Sequence, residues 1–205
     1  MAGHDHPGWP AQLRHGSVGC RPLRMRDAAT WSRLRLVDEP WLTPWEPTSR
    51  QPWAQRHSVA AYVGMLGRLR SQARAGTVLP FAITFDEDLI GQITVANVVR
   101  GALRSAQIGY WIARSHAGRG ITPTAVALVT DHCFGPVGLH RVQVDIRPEN
   151  AASRRVVEKL RFREEGYFTR YLDIDGRYRD HLGFALTVED VPGGLVRRLP
   201  RRTDD

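Results

Sequence analysis

The chain has 205 residues, 42% of them apolar, which suits one sizeable globular domain. Its formal net charge is +8, from 29 basic residues of which Lys159 is the only lysine, and such a surface attracts polyanions without specifying a fold. No apolar run reaches the roughly 18 residues a membrane span needs. The N-terminus lacks a basic-then-apolar export pattern and Cys20 and Cys133 make no disulfide framework, so the expected setting is the cytoplasm.

Residues 1–13 carry His4 and His6 among Gly and Pro, without periodicity, and read as a flexible tail. A metal site on these two histidines is a reading that is set aside, and no metal is expected in the chain. Ser17–Leu23 reads as a first strand. Asp27 is placed as the N-cap of a helix with Trp31, Leu34 and Val37 on one face. From Glu39 the run EPWLTPWEPTSRQPW breaks its tryptophans with prolines, which no single regular element tolerates. Two readings stay open there. It is a loop whose aromatics cap the core, or a rigid substrate wall of Trp41 and Trp45 with Glu46 as a polar contact. A helix follows from Ser58 to about Arg74, with Val59, Tyr62, Met65, Leu66 and Leu69 at helical spacing.

Strands are expected at 78–85, 89–99 and 106–112, turned at Asp86-Glu87-Asp88 and at Gly101, as an antiparallel meander. In the third, Ile108, Tyr110 and Ile112 alternate with Gln107, Gly109 and Trp111. Gly118-Arg119-Gly120 comes next, and Thr122-Pro123 reads as N-cap and first residue of a helix ended by Gly135-Pro136. His140–Ile146 alternates Val142, Val144 and Ile146 against Arg141, Gln143 and Asp145, a half-buried strand. The strand at 106–112, the helix and this strand make a βαβ unit, whose strands run parallel through a right-handed crossover. Asn150 caps a helix over Ala151–Leu160, and Phe162–Leu172 and Arg177–Leu186 flank an Asp175-Gly176 hairpin turn. Residues 191–205, rich in Pro, Gly and Arg, read as a flexible basic tail, leaving 14–190 as the domain.

A strand entering a glycine loop at a helix start is an anion site. Backbone N–H groups point at the ligand, the helix dipole favours negative charge, and absent Cβ atoms allow close approach. A phosphate-bearing cofactor is expected there.

Three segments, AGRGIT (117–122), PENAASRRVVEKLRF (148–162) and IDGRYRDH (174–181), carry a family resemblance. Over about residues 17–190 the chain resembles the GNAT acyltransferases, and within them the RimJ/RimL-like enzymes that acetylate N-termini of ribosomal proteins. The resemblance implies an α+β GNAT fold: a mixed antiparallel and parallel sheet of about seven strands, helices on both faces, and a splay at the loop-bearing strand. It implies acetyl-CoA as cofactor, with coenzyme A as product. Trp111, Ile112 and Ala113 would follow the pantetheine arm, and Ala117, Gly118, Arg119, Gly120, Ile121 and Thr122 the pyrophosphate. Ser153 would donate to the sulfur while Asn150 orients the pantetheine amide, these two being the catalytic pair. Of the superfamily's Gln/Arg-x-x-Gly-x-Gly/Ala loop only Gly120 matches, with Ala117 and Thr122 at the outer positions. Arg161 replaces the glycine of Leu-Gly-Phe, Val157 stands where many members carry a tyrosine acid, and Leu172 where the RimL-like enzymes carry a glutamate. A water held by Glu46, Asp173 or Asp180 would then relieve the amine of its proton, with Trp41 and Trp45 also facing the substrate.

The missing glutamate favours an α-amine over a lysine. With pKa near 7.7–8.0 against about 10.4, roughly a tenth of an α-amine is neutral at pH 7, against under a thousandth of lysine. The expected acceptor is a protein N-terminus, of a ribosomal protein in the narrower reading. Direct RNA contact is compatible with this but not required, no membrane is involved, and the chain is a monomer or homodimer. Two alternatives remain: a GNAT enzyme using a small amine, a lysine or another acyl-CoA, and an inactive GNAT-fold module that binds RNA or the ribosome.

Overall fold

The computed structural model describes residues 7–199. Its eight strands are β1 (Leu13–His15), β2 (Val18–Pro22), β3 (Leu79–Phe85), β4 (Asp88–Val99), β5 (Ser105–Ile112), β6 (Arg141–Ile146), β7 (Arg163–Ile174) and β8 (Arg177–Thr187). They form one sheet in the order β1-β2-β3-β4-β5-β6-β8-β7, in which only β5 and β6 run parallel. Helices α1 (Ala28–Val37) and α4 (Val59–Arg74) pack with Trp31, Tyr62, Leu66 and Leu89 into a smaller cluster, and the one-turn helices α2 (Glu39–Leu42) and α3 (Trp53–Arg56) lie between them in the chain. Helices α5 (Ile121–Phe134) and α6 (Ala151–Lys159) join Ile108, Ile112, Val142, Val144 and Ile146 in the larger cluster. The period-two pattern thus sorts β5 between two helical layers: Ile108 and Ile112 belong with α5, and Trp111 with α1 and α4.

Pairing sets up the functional geometry. β4 follows β5 as far as Ile112, whereas β6 pairs with β5 only at Ser105–Gln107. Beyond Gln107 the two strands part, as the splayed sheet requires. Ala113 N–H donates to the Ile90 carbonyl on β4 at 2.8 Å, so by strand alternation the peptide groups of Tyr110 and Ile112 face the gap.

Several local expectations change. The eighth strand, β1, falls in a stretch whose first residues read as tail; Trp9 packs edge-on to Phe81 at 4.9 Å, and His132 Nε2 meets the Gly8 carbonyl at 2.6 Å. At the other end, Val191 and Leu195 are buried, and the Asp131 carboxylate accepts from Leu195 N–H at 2.7 Å and Val196 N–H at 3.0 Å. The expected tails are therefore docked at 7–13 and 191–199; His4, His6 and residues 200–205 lie outside the described residues. Apolar side chains at spaced positions explain the docking, a signal too sparse for periodicity to reveal. Thr122 is not the N-cap of α5: Gly120 is, at φ +78°, and Ile121 begins the helix. Val37 is exposed rather than on the buried face of α1. Both cysteines are buried and unbridged, and burial pushes each thiol up to about 12.

Asp27 is also more than a helix start. Its side chain makes no cap to α1; it takes Arg21 through two bonds of 2.8 Å and the Arg24 N–H at 2.8 Å, in a buried pocket. Removing one partner of a buried ion pair leaves the other charge desolvated and alone. Asp27→Ala is expected to cost about 3–5 kcal/mol, read as a lower denaturant midpoint at unchanged slope. A shift under 1 kcal/mol would show the pair to be dispensable.

Candidate active site

The loop from Ala113 to Gly120 leaves β5 through a short 3₁₀ turn (Arg114–His116). Gly118 and Gly120 adopt φ of +77° and +78°, and a Cβ on either would meet nothing within 4 Å. They are glycine for backbone conformation, and the space in front of them is open to a ligand. Among the described residues nothing accepts from the backbone N–H groups of Gly118, Arg119, Gly120, Ile121 or Thr122. Five consecutive unengaged donors at the positive end of α5 are what a pyrophosphate needs.

A cavity of about 410 Å³ runs from this loop to the start of α6. Trp111, Ile112, Ala117, Gly118, Gly120, Ile121, Thr122, Asn150 and Ser153 line it, nine of the eleven residues expected to hold the cofactor. The other two do not reach it. Ala113 is 0% exposed, its N–H spent on β4. Arg119 lies with its guanidinium 4.7 Å over the Phe85 ring, where stacking outcompetes a reach into solvent. Arg155 and Lys159, on α6, put cationic side chains on the wall instead, a contribution that sequence spacing alone did not single out. The groove fits a coenzyme A: amides and cations for phosphates at one end, freed strand edge at the other.

At the reactive end, Asn150 caps α6, its Oδ1 accepting from Ser153 N–H at 3.0 Å. The Ser153 side chain interacts with the Tyr110 hydroxyl, which lowers the phenol's pKa against the larger effect of burial. Tyr110 Oη makes a long contact, 3.5 Å, to the Ser153 carbonyl, and burial raises that phenol well above its usual range. Val157, where other members place a tyrosine, is fully buried in the core. Arg161 takes the left-handed φ of +58° that the family's glycine would adopt more cheaply, and Phe162 N–H closes the helix end on the Val157 carbonyl at 3.0 Å.

A second cavity of about 350 Å³ shares Trp45, Glu46, Tyr110, Trp111, Asn150 and Ser153 with the first. Its remaining wall includes Asp145, Arg147 and His181, none of which was singled out as a site residue. A third, of about 540 Å³, adjoins it at Glu46, Gln92 and Trp111. The aromatic segment is what divides these spaces. Trp41 Nε1 donates to the Ile112 carbonyl at 3.2 Å, Arg147 lies 5.2 Å over the Trp45 ring, and Thr48 N–H donates to the Asp173 carbonyl at 3.0 Å. The segment buries Leu42 and Trp53 in the core and places Trp41 and Trp45 on a cavity wall.

The acidic candidates separate. Glu46 lines all three cavities, with Oε1 on Arg35 at 2.6 Å. Arg35, 3% exposed, lies among Trp31, Trp53 and Trp111 and also meets His57 Nε2 at 2.8 Å. Burial and then the Arg35 charge push His57 down to about 3, keeping it a neutral acceptor. The structure places Asp173 and Asp180 away from these cavities. Asp173 Oδ1 is taken by Thr48 Oγ1 at 2.6 Å, and Asp180 by Tyr167 Oη at 2.5 Å and Arg170 N–H at 2.7 Å; neither lines these cavities. Both carboxylates fasten the β7–β8 hairpin, a role that long-range pairing decides. Trp41 lines only the cofactor cavity of the three. Among the described residues no cluster of three or more metal-ligating side chains occurs, and no helix is long and apolar enough to cross a membrane.

Comparisons with known proteins agree with this geometry. The family model described as "Acetyltransferase (GNAT) domain" matches residues 18–163. A [Ribosomal protein uS5]-alanine N-acetyltransferase of Escherichia coli is 31% identical over 177 residues, covering 84% of this chain and 89% of its own. The probable N-acetyltransferase YjcK of Bacillus subtilis is 39% identical over 105 residues, a match that spans 51% of this chain and 58% of that protein. A structure of Mycobacterium smegmatis RimJ in complex with CoA-disulfide is 50% identical, covers 95% of each chain and superposes with a TM-score of 0.91. With the glycine loop, the parted strands and the capped serine in one groove, the chain belongs to the GNAT acetyltransferase family.

Proposed function

We propose that this protein moves an acetyl group from acetyl-CoA to the α-amine of a protein N-terminus, that of a ribosomal protein in particular. The observation that carries the reading is the meeting of two cavities at Tyr110, Asn150 and Ser153, where β5 parts from β6. One cavity reaches the glycine loop; the other carries Glu46, Asp145, Arg147 and His181 on its wall. The Escherichia coli relative, named for the alanine of ribosomal protein uS5, supports the protein N-terminus. The cytoplasm, where such acceptors are made, is the setting this reading implies.

Acetyl-CoA supplies an activated thioester and a thiolate leaving group. The rest falls to the protein. The N–H groups of residues 118–122 hold the pyrophosphate, and the gap-facing peptides of Tyr110 and Ile112 align the pantetheine arm. Asn150, its Oδ1 used by the cap, keeps Nδ2 for the pantetheine amide. Ser153 Oγ provides a donor for the sulfur, and Trp45 and Glu46 frame the incoming amine.

Acetyl-CoA at about 100 times its Kd is expected to stabilise the fold by about 2.7 kcal/mol, with thiol released only when a peptide bearing a free α-amine is added. Salt-sensitive RNA binding without either effect would replace an enzyme with a binding module.

A further inference from the structure

The acceptor cavity contains a base that no other function claims. His181 sits on β8, 4% exposed, and lines that cavity together with Tyr110 and Ser153. Its Nδ1 lies 3.1 Å from the Arg179 carbonyl, a group that only accepts, so Nδ1 carries the proton. Nε2 is then left with a lone pair, and among the described residues it has no hydrogen-bond partner. Asp145 is the other carboxylate on this wall besides Glu46, and both of its oxygens are engaged, by Gln143 Nε2 at 2.7 Å and Gln107 Nε2 at 3.0 Å. Glu46 is committed to Arg35. The charged and titratable groups around His181 are Glu46, Tyr110, Asp145 and Arg147 on the cavity wall, Asp180 next to it in the strand, and Tyr171, whose ring lies edge-on at 5.7 Å. The register Asp145↔Gly183 puts His181 two residues along from Gly183, on the same face as Asp145 and at the open end of the β5–β6 gap.

We propose that His181 is the general base of the reaction: Nε2 takes the proton of the acceptor's α-ammonium, directly or through one water. This rests on the N-acetyltransferase reading above. The N–H bond of the ammonium breaks, its electron pair stays on nitrogen, and the imidazole becomes imidazolium. The freed amine forms the N–C bond as the C–S bond breaks. Its second proton reaches the sulfur on the Ser153 side, and the imidazolium returns the first proton to solvent.

His181→Asn keeps an N–H for the Arg179 carbonyl and loses the basic nitrogen. Its kcat/KM for an N-terminal peptide is expected to fall about 100-fold at pH 7, with acetyl-CoA affinity and Tm unchanged. The deficit should shrink to a few-fold near pH 9.5, where solvent deprotonates an α-amine of pKa about 7.7–8.0. Added imidazole should partly restore His181→Gly. A loss below threefold at pH 7, or an equal loss at every pH without rescue, overturns the proposal; His181→Gln carries the same readouts should the Asn variant fail to fold. Wild-type turnover in the same assay tests the underlying reading separately, and its absence on every peptide would overturn both.

Discussion

Gly120→Val is expected to weaken acetyl-CoA binding by about 10- to 100-fold, while the unliganded protein still folds. Two effects bear on it. A left-handed residue with a Cβ costs roughly 1–2 kcal/mol, and the valine is branched at that carbon; the observed φ is +78°. Should the backbone relax instead, the N–H of Gly120 turns away from the pyrophosphate, and a hydrogen bond to a charged group is worth about 1.5–3 kcal/mol. Where the backbone keeps its φ the strain falls on the fold; where it relaxes, the lost bond of about 1.5–3 kcal/mol is about 10- to 100-fold in Kd, 1.4 kcal/mol being tenfold. Because a Cβ here meets no protein atom within 4 Å, the substitution does not disturb packing, and calorimetric titration isolates the ligand effect. Gly120→Ala should fall between wild type and valine. A Kd within threefold of wild type for Gly120→Val would move the pyrophosphate elsewhere.

Ser153→Ala is expected to lower kcat by about 100-fold and leave acetyl-CoA affinity unchanged. The reason lies in which atoms are used. The serine's backbone N–H makes the cap with Asn150 at 3.0 Å, and alanine keeps it. Only Oγ is lost, an atom whose side-chain contact is with the Tyr110 hydroxyl, so the backbone of α6 and the groove is kept. Single-turnover acetyl transfer reads the step directly. The deficit should narrow with a thioester whose thiol is more acidic, since that sulfur needs less help to leave. Asn150→Ala differs in kind: losing the cap costs about 1 kcal/mol of stability as well as rate. An unchanged kcat for Ser153→Ala with normal cofactor affinity would remove the serine from the chemistry.

What the sequence disclosed, and what it hid, follows the range of the interactions. Alternation in β5 and β6 assigned their faces, and Asp175-Gly176 gave the hairpin, with φ of +49° and +82° as such a turn demands. The Asn150 cap was legible because its partner is three residues away. So was the gap between β5 and β6, through the resemblance rather than through any single residue. Thr122 misled because serine, threonine and asparagine are the usual caps, whereas here the left-handed glycine two residues earlier starts the helix. Asp27, Asp173 and Asp180 looked like local or ligand contacts and proved to be held by Arg21, Thr48 and Tyr167. His181 and Asp145 carried no local signal at all: each is one polar position in an alternating strand, and only the sheet order β6-β8 brings them to one wall.

The most direct test uses one peptide with a free N-terminal amine and an internal lysine, incubated with acetyl-CoA at pH 7 and mapped by tandem mass spectrometry. The α-amine's greater neutral fraction amounts to about 3 kcal/mol, so the predicted result is an acetyl group on the N-terminus, with lysine modification at most a few per cent of it. An acetyl group confined to the lysine would contradict the account.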